Sequence, residues 1–305
     1  KFNYGLEAGS KAELVIAMTY NNVGSPITVN GFKDKEMIHL GFIAKSMGHN
    51  ITIIIEGLNE LEIIIEVLNE TKMECPNIGL RVRLHSGGSG LWAKSGGINS
   101  KFGLTSTEIL EAYELMEDNN IVKYLTMIHF HIGSAMNSIK PLKKAIRESG
   151  HIYAELKNLG ATNLNSINIG GGLAVEYNAY ERTRFYSLTE FANDVIFTLK
   201  DIARQKGVDE PNIFTESGRF ISAASTVLVA PVLELFSAEY DFDHLKLKDV
   251  NPPLIQELHD LYRDMSKKTA YEYMHDSIDH MESLLTLFDL GYIDLQDRSN
   301  AEILT

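Results

Sequence analysis

Short apolar segments alternate with longer amphipathic ones over residues 1–225 of this 305-residue chain, and this alternation limits the possible folds more than any other feature. Apolar segments typical of β-strands occur at 2–6, 27–30, 51–56, 78–84, 125–130, 166–169 and 212–215. Segments with the apolar spacing of helices occur at 11–20, 34–47, 59–72, 107–117, 139–159 and 188–206. Near-continuous apolar strands separated by helices predict a parallel α/β sheet with right-handed crossovers.

We predict that residues 1–225 form a (β/α)8 barrel of the TIM type. Such a barrel takes about 250 residues and closes with eight strands, whereas seven strands are predicted here. The sequence therefore predicts that the first barrel strand precedes Lys1, in a longer chain. A dinucleotide-binding sheet is the weaker alternative, because the glycines of IGGGL do not open a long helix with the G-x-G-x-x-G spacing.

The character of the sequence changes after residue 225. TVLVAPVLELF at 226–236 predicts a long strand without a crossover helix, so we interpret 226–245 as the start of a C-terminal β domain. Residues 246–305 have helical periodicity and predict a helical insertion. His275 and His280 lie five residues apart on one of these helices among Asp and Glu, and we interpret them as solvated residues rather than metal ligands.

The composition argues against several classes of protein. A formal net charge of −13 argues against binding to nucleic acid or to anionic membrane surfaces. The longest apolar stretches are interrupted by Glu and Asn, so none predicts a membrane span. The only cysteine, Cys75, excludes a disulfide framework and favours a cytoplasmic location, and we interpret it as a structural thiol.

Three short polar motifs each follow a predicted strand: HFHIGS at 129–134, GGG at 170–172 and ESGR at 216–219. Because the carboxyl ends of barrel strands meet at one rim, we expect the three motifs to lie together. Each signal is weak alone, since a Gly triplet is more often a turn and a strand-end His more often a packing residue. Three such motifs on one rim favour a functional site.

The residue types on this rim suit one cofactor. The glycines at 170–172 let backbone N–H groups approach a phosphate, Arg219 adds a fixed positive charge, and Ser134 adds a hydroxyl donor. His131 offers a flat ring for stacking, and Glu216 offers a carboxylate for a ring nitrogen. Together these groups predict a site for pyridoxal 5'-phosphate.

The chain also resembles a known family. GLEAGSKAEL, VNGFKDKEMIHL, RVRLHSGGSGLWAKSGGINSKFGL, HFHIGS, INIGGGLAVEY and TESGR match, in this order, the alanine-racemase-like, fold-type III enzymes that use pyridoxal phosphate. That family holds ornithine, arginine and diaminopimelate decarboxylases as well as alanine racemase. The SGGSG…SKFGL segment and the helical insertion resemble the biosynthetic arginine decarboxylases within it, so the chain looks like the central part of such an enzyme.

The resemblance implies roles for individual residues. His131 would stack on the pyridine ring, Glu216 would accept a hydrogen bond from its nitrogen, and Arg83 would lie near the phenolic oxygen. Glu7 would lie near His131. The phosphate would be bound by Ser134, Gly171, Gly172, Ser217, Gly218 and Arg219. The resemblance assigns four residues to the substrate: Gly170, Leu173, Glu176 and Tyr177. It assigns Lys101 to a dimer interface.

The same resemblance implies parts that these residues do not supply. The Schiff-base lysine is expected upstream of Lys1, and a catalytic Cys and a cofactor-binding Tyr are expected beyond Thr305, with the Cys reaching across from a partner subunit. A homo-oligomer with shared active sites, a dimer or a tetramer, is therefore implied, together with Mg²⁺ at an unknown position. Cys75 is expected on the opposite face of the barrel and cannot replace the catalytic Cys.

Glu216 also discriminates between reactions of the family. Decarboxylation leaves a carbanion, and a carboxylate beside the ring nitrogen keeps that nitrogen protonated and able to take up the electrons. Because the family's racemases carry an arginine in this place, Glu216 favours a decarboxylase. We expect conversion of L-arginine to agmatine and CO2 in polyamine biosynthesis. The alternatives are another decarboxylase, acting on ornithine, diaminopimelate or carboxynorspermidine, or a non-catalytic pyridoxal-phosphate carrier or regulatory protein.

Overall fold

The computed structural model describes residues 4–85, 102–177, 184–226, 228–234 and 242–305. The chain divides into two compact units, Lys1–Val227 and Leu228–Thr305. The first unit contains the parallel sheet and all three polar motifs, and the second is helical.

Within the described ranges, seven parallel strands form one sheet, in the order in which they occur in the chain. The strands are β1 (Leu6–Ala8), β2 (Pro26–Val29), β3 (Asn50–Ile55), β4 (Asn77–Arg81), β5 (Leu125–His129), β6 (Ser166–Asn168) and β7 (Asn212–Phe214). All seven overlap the predicted strands, and the predicted parallel α/β fold is confirmed. β1 differs most, because it begins at Leu6, where the predicted strand ends.

The sheet is curled, so that strands distant in strand order approach each other. Thr28 on β2 donates a hydrogen bond across 3.3 Å to Oε1 of Glu216, which follows β7. Neighbouring strands lie about 4.8 Å apart, so strands five positions apart in a flat sheet would be separated by roughly 24 Å. The contact is possible only when the sheet closes on itself as the wall of a barrel does.

Helices follow the strands and cover the outside of the sheet. Those of the first unit are α1 (Lys11–Tyr20), α2 (Lys35–Ser46), α3 (Leu58–Thr71), α4 (Ser106–Asp118), α5 (Lys140–Leu159), α6 (Leu188–Lys206) and the short α7 (Gly218–Ser222). Side chains typical of N-caps begin several of them: Ser10 and Asp34 accept backbone hydrogen bonds at α1 and α2, and Thr105 forms a capping box with Glu108 at α4. The first six helices lie where the sequence predicts them.

The core between sheet and helices explains the near-continuous apolar strands. Residues 51–55 of β3 are all buried, so both faces of this strand are covered. Cys75 is buried in the same core, and burial raises the pKa of its thiol to about 12. A thiol with so high a pKa is not a nucleophile at neutral pH, which agrees with a structural role.

The second unit is built from α8 (Pro253–Asp264), α9 (Ala270–Asp289) and α10 (Leu295–Leu304), which pack around a small core that includes Ile255, Leu258 and Leu284. The predicted strand at 226–236 is not found in its described part. Residues 228–234 contain no strand, and Leu228 and Leu233 are exposed. A strand needs a hydrogen-bonded neighbour, and no described residue pairs with this segment.

Candidate active site

The three polar motifs meet at the carboxyl ends of β5, β6 and β7. The backbone N–H of Gly171 donates to Nδ1 of His131 across 3.3 Å, and the N–H of Glu216 donates to the carbonyl of Gly170 across 2.8 Å. Met136 donates its N–H to the carbonyl of Gly172 across 2.8 Å. These bonds tie the loops into one surface, as the strand-end positions predict.

A cavity of about 140 Å³ opens on this surface. Its lining combines hydroxyl, guanidinium, imidazole and carboxylate groups with glycine backbone, from His131, Ser134, Ala135, Gly171, Gly172, Leu173, Glu216, Ser217, Arg219 and Phe220. The glycines are needed because the loops pack closely. Gly172 has a φ of +105°, and a Cβ there would collide with the carbonyl oxygen of Gly133. A Cβ on Gly171 would collide with the carbonyl oxygen of Glu216.

In the part of the chain that the structure describes, four side chains form hydrogen bonds with the carboxylate of Glu216. Its Oε1 accepts hydrogen bonds from Nδ2 of Asn30 and Nδ2 of Asn168, each across 2.8 Å, and from Thr28 across 3.3 Å. Its Oε2 lies 3.2 Å from Nε2 of His129. Burial alone would raise the pKa of Glu216, but the bond and charge of His129 and the two amide bonds outweigh it and lower the pKa to about 2. Glu216 is therefore ionised at neutral pH.

His131 presents a neutral ring to the cavity. The residue is exposed on one side, but the surrounding protein removes much of its water, and this desolvation lowers the pKa of its imidazole to about 4, helped by the nearby charges of Arg81 and His129. Its Nδ1 accepts the hydrogen bond from Gly171, so Nδ1 is unprotonated. A neutral, oriented imidazole is suited to stack on a flat ligand.

Arg81 and Arg83, near the end of β4, have different partners. Arg83, which the sequence assigns to the cofactor, donates from Nε and from an Nη atom to the carbonyl of Gly103, across 3.1 and 2.9 Å. Arg81 is the last residue of β4, its guanidinium lies 2.9 Å from Glu56 Oε1, and its charge acts on His131. Arg81 therefore ends the strand within reach of His131, whereas Arg83, two residues later, is bonded to Gly103.

Other predicted residues surround this centre. Glu7 lies beside Asn30, whose Nδ2 donates to it across 3.1 Å, and burial raises the pKa of Glu7 despite that bond, with a further rise from the charge of Glu216. Gly218 lines a second cavity, between β1 and β7. Leu173 and Tyr177 line a groove next to the first cavity, whereas Gly170 is buried and Glu176 is exposed. Lys101 and the SGGSG segment lie outside the described residues.

Sequence reasoning missed the residues that support Glu216. Asn30, Asn168 and Thr28 lie at or near the ends of buried strands, and all three are buried. Isolated polar residues at the carboxyl ends of apolar strands were the available signal, because a buried amide or hydroxyl needs a hydrogen-bond partner. His129 belongs to the HFHIGS motif, but the motif by itself indicates no role for it.

The donors and acceptors of the site fit pyridoxal phosphate. Arg219, Ser134 and the glycine backbone provide positive charge and donors for a phosphate, as their chemistry requires. The neutral ring of His131 and the ionised carboxylate of Glu216 provide a stacking surface and an acceptor for a protonated ring nitrogen. Among the described residues, no group of three or more His, Cys, Asp and Glu side chains is arranged to hold a metal ion.

Comparison with known proteins agrees with this chemistry. Residues 3–223 match the family described as "Pyridoxal-dependent decarboxylase, pyridoxal binding domain", and residues 248–305 match "Arginine decarboxylase helical bundle domain". The biosynthetic arginine decarboxylases of Geobacter sp. (strain M21) and Bacteroides thetaiotaomicron are 41% and 40% identical to this chain and match 99% of it. The match covers 48% and 49% of those proteins, so the chain spans about half the length of these relatives.

Solved structures show the same similarity. The crystal structure of the biosynthetic arginine decarboxylase SpeA from Campylobacter jejuni is 62% identical over 99% of this chain and 50% of that chain, with a TM-score of 0.68. Diaminopimelate decarboxylase from M. jannaschii is 27% identical over 71% of this chain and 48% of that chain, with a TM-score of 0.61. The match of residues 3–223 and the arrangement of the site lead to one assignment: the chain belongs to the family of pyridoxal-dependent decarboxylases, whose pyridoxal binding domain it contains.

Proposed function

We propose that this chain forms part of an arginine decarboxylase that converts L-arginine to agmatine and CO2 in polyamine biosynthesis. The observation that carries the proposal is the ionised carboxylate of Glu216, fixed by four side-chain partners on the rim of the phosphate cavity. We propose arginine as the substrate because the relatives are named biosynthetic arginine decarboxylases. We propose residues 1–225 as the barrel, 226–245 as the start of a β domain and 246–305 as a helical insertion.

In this proposal the residues of the cavity have separate roles in binding and orienting the cofactor. Arg219, Ser134 and the backbone of Gly171 and Gly172 bind the phosphate, with Ser217 and Gly218 beside them. His131 orients the cofactor ring by stacking. Pyridoxal phosphate, when bound, supplies the electron sink for the carbanion that remains after CO2 leaves. Glu216 holds the proton of the ring nitrogen in place, because an ionised carboxylate with a low pKa accepts a hydrogen bond without taking the proton.

Two further groups are assigned by position. We propose Arg81, rather than Arg83, as the arginine that acts at the cofactor's side, because Arg81 ends β4 and its charge reaches His131. Glu56 holds Arg81 across 2.9 Å and leaves one face of the guanidinium over the ring of Phe102, 5.2 Å away. The groove lined by Leu173 and Tyr177 is proposed for the substrate, with Gly170 and Glu176 next to it.

We propose that the whole enzyme acts in the cytoplasm as a dimer or tetramer with shared active sites and uses Mg²⁺, as the family resemblance implies. The helices that the structure describes include none long and apolar enough to cross a membrane. A small-molecule substrate and no nucleic-acid or membrane partner are in keeping with the net charge of −13.

The experiment is a CO2-release assay on the full-length protein with L-arginine, L-ornithine and meso-diaminopimelate, each with and without added Mg²⁺. The proposal expects turnover with L-arginine and formation of agmatine. Release of CO2 from another of the three amino acids instead would support the other decarboxylases of the family, to which the similarity with diaminopimelate decarboxylase also points. Bound cofactor without CO2 release from any of them would support a carrier.

A further inference from the structure

His129 is a buried histidine that the proposed chemistry does not use. It is the last residue of β5, its side chain is 2% exposed, and its Nε2 lies 3.2 Å from Oε2 of Glu216. His131 lies two residues later in the same motif. The two histidines of the HFHIGS motif therefore lie at successive levels of the site, with His131 at the cavity and His129 below it.

The two oxygens of Glu216 have different surroundings. Oε1 accepts three hydrogen bonds, from Asn30, Asn168 and Thr28, whereas His129 is the hydrogen-bond partner of Oε2 among the described side chains. A carboxylate oxygen has about two acceptor positions. Oε2 thus retains an acceptor position, and Glu216 lines both cavities at the carboxyl ends of the strands.

The position of the proton on His129 follows from its partner. An ionised carboxylate only accepts hydrogen bonds, so Nε2 of His129 carries the hydrogen in this contact. Nδ1 is buried and has no hydrogen-bond partner among the described residues. Among the described residues, the side chain of His129 therefore has one hydrogen-bond partner, Glu216. That bond satisfies the polar group of a histidine that is buried here.

We propose that His129 is a positioning residue: it donates a hydrogen bond to Oε2 of Glu216 and turns the remaining acceptor position of that oxygen toward the cofactor's ring nitrogen. The inference rests on the proposed function. Without this donor, Glu216 keeps its three partners on Oε1 but can rotate about them. A rotated carboxylate would no longer hold the ring proton in the geometry that the reaction needs.

The test compares His129→Leu, which removes the donor, with His129→Gln, whose amide can donate to Oε2. Both are made in the full-length holoenzyme, with Met127→Leu, a buried residue of the same strand, as the packing control. We expect His129→Leu to lower kcat about 10-fold to 100-fold with KM for arginine nearly unchanged, the loss typical of one hydrogen bond to a charged group. His129→Gln should recover most of kcat, and Met127→Leu should match the parent protein.

A second readout is independent of turnover. The absorption spectrum of the bound cofactor, recorded at neutral pH, should change in His129→Leu in the same direction as in Glu216→Gln and should stay parental in His129→Gln. Equal loss of kcat in both His129 variants, or a parental spectrum in His129→Leu, would overturn the proposal. If His129→Leu does not fold, the spectrum and kcat of His129→Asn, whose shorter amide cannot span the distance, replace it. If the parent protein binds cofactor but does not decarboxylate arginine, the proposed function fails, whereas the spectra still test His129.

Discussion

Asn30 follows β2 and Glu216 follows β7, five positions away in the strand order, yet Nδ2 of Asn30 is 2.8 Å from Oε1 of Glu216. The same Nδ2 donates to Oε1 of Glu7 across 3.1 Å. The amide of Asn30, at the end of β2, thus links two carboxylates: that of Glu216, which follows β7, and that of Glu7, which belongs to β1. The contact ties closure of the sheet to the position of the carboxylate on which the proposed chemistry depends.

Glu216→Gln should leave the cofactor bound but lower turnover strongly. The phosphate cavity stays intact, because Ser134, Arg219 and the glycine backbone are unchanged, whereas the ring nitrogen loses its anionic partner. By analogy with the loss of other electrostatic groups in active sites, we expect an effect of about 2.7 to 4 kcal/mol, or roughly a hundredfold to a thousandfold. Single-turnover decarboxylation at saturating cofactor measures it, and unchanged turnover at full occupancy would contradict the role.

Arg219→Ala should weaken retention of the cofactor. The guanidinium lines the phosphate cavity, and loss of a charge-assisted partner of a phosphate should cost about 1.5 to 3 kcal/mol. Titration of the apoprotein with pyridoxal phosphate, followed by absorbance, measures the affinity. Arg263→Ala, an exposed arginine of the second unit, is the matched control and should bind as the parent does. Equal affinity in both variants would mean that Arg219 is a structural residue.

Much of the fold could be predicted because its signal is local. Each strand is a short buried run, and each helix carries its own apolar spacing and often its own cap, as Asp34 does at α2. The strand predicted at 226–236 shows the limit of this reasoning, because a strand also needs a neighbour that local sequence does not identify. The apolar residues of this segment are typical of a strand, but no described strand forms hydrogen bonds with it.

The site was predictable where the chemistry lies in a contiguous motif, and not where it lies in contacts between distant segments. Glu216, His131 and Arg219 stand in recognisable motifs at strand ends. Asn30 and Asn168 are single amides in apolar strands, and their role depends on which strands the curled sheet brings together. The choice between Arg81 and Arg83 depends on where β4 ends, and strand bounds are the least certain part of a prediction from sequence.

Lys33→Met should destabilise the protein by leaving a buried carboxylate unpaired. Nζ of Lys33 lies 3.1 Å from Oε2 of Glu60, and the two side chains are 0% and 3% exposed. Burial lowers the pKa of Lys33 and raises that of Glu60, so each group depends on the other to remain charged. We expect a loss of about 3 to 5 kcal/mol in the free energy of unfolding, measured with urea.

Two variants check the cause of that loss. The double variant Lys33→Met with Glu60→Leu removes both charges and should recover part of the stability, since an apolar pair can replace a buried ion pair. The recovery is partial because the backbone N–H groups of Lys33 and Glu56 lose Glu60 as their acceptor. Lys35→Met removes an exposed lysine that pairs with Glu66 and Glu70, and it should cost less than about 1 kcal/mol. If the double variant were as unstable as Lys33→Met, the loss of stability would come from lost packing and not from the unpaired charge of Glu60.

Glu216 should make the stability of the protein fall in acid. Its folded-state pKa of about 2 lies below the ordinary value of 4.5, so its ionised form stabilises the fold above pH 4.5 and this contribution is lost as the pH falls toward 2. Between about pH 5 and pH 3, linkage gives a loss of about 2 kcal/mol from this group. Glu216→Gln should remove this part of the pH dependence. An identical decline in the parent and in the variant would mean that Glu216 does not titrate as proposed.

Gly172→Ala should destabilise the rim, whereas Gly218→Ala should not. Gly172 has a φ of +105° and its missing Cβ would meet the carbonyl of Gly133, so alanine there needs a strained backbone and a shift of the neighbouring loop. Strain of this kind costs about 1 to 3 kcal/mol. Gly218 begins α7 without a positive φ and with open space where its Cβ would lie, so alanine should change the stability by less than about 1 kcal/mol. Urea unfolding of the two apoproteins measures the difference. Equal stability of the two variants would show that the loops after β5 and β6 can separate without loss, and that the close approach of Gly133 and Gly172 is not required for the fold.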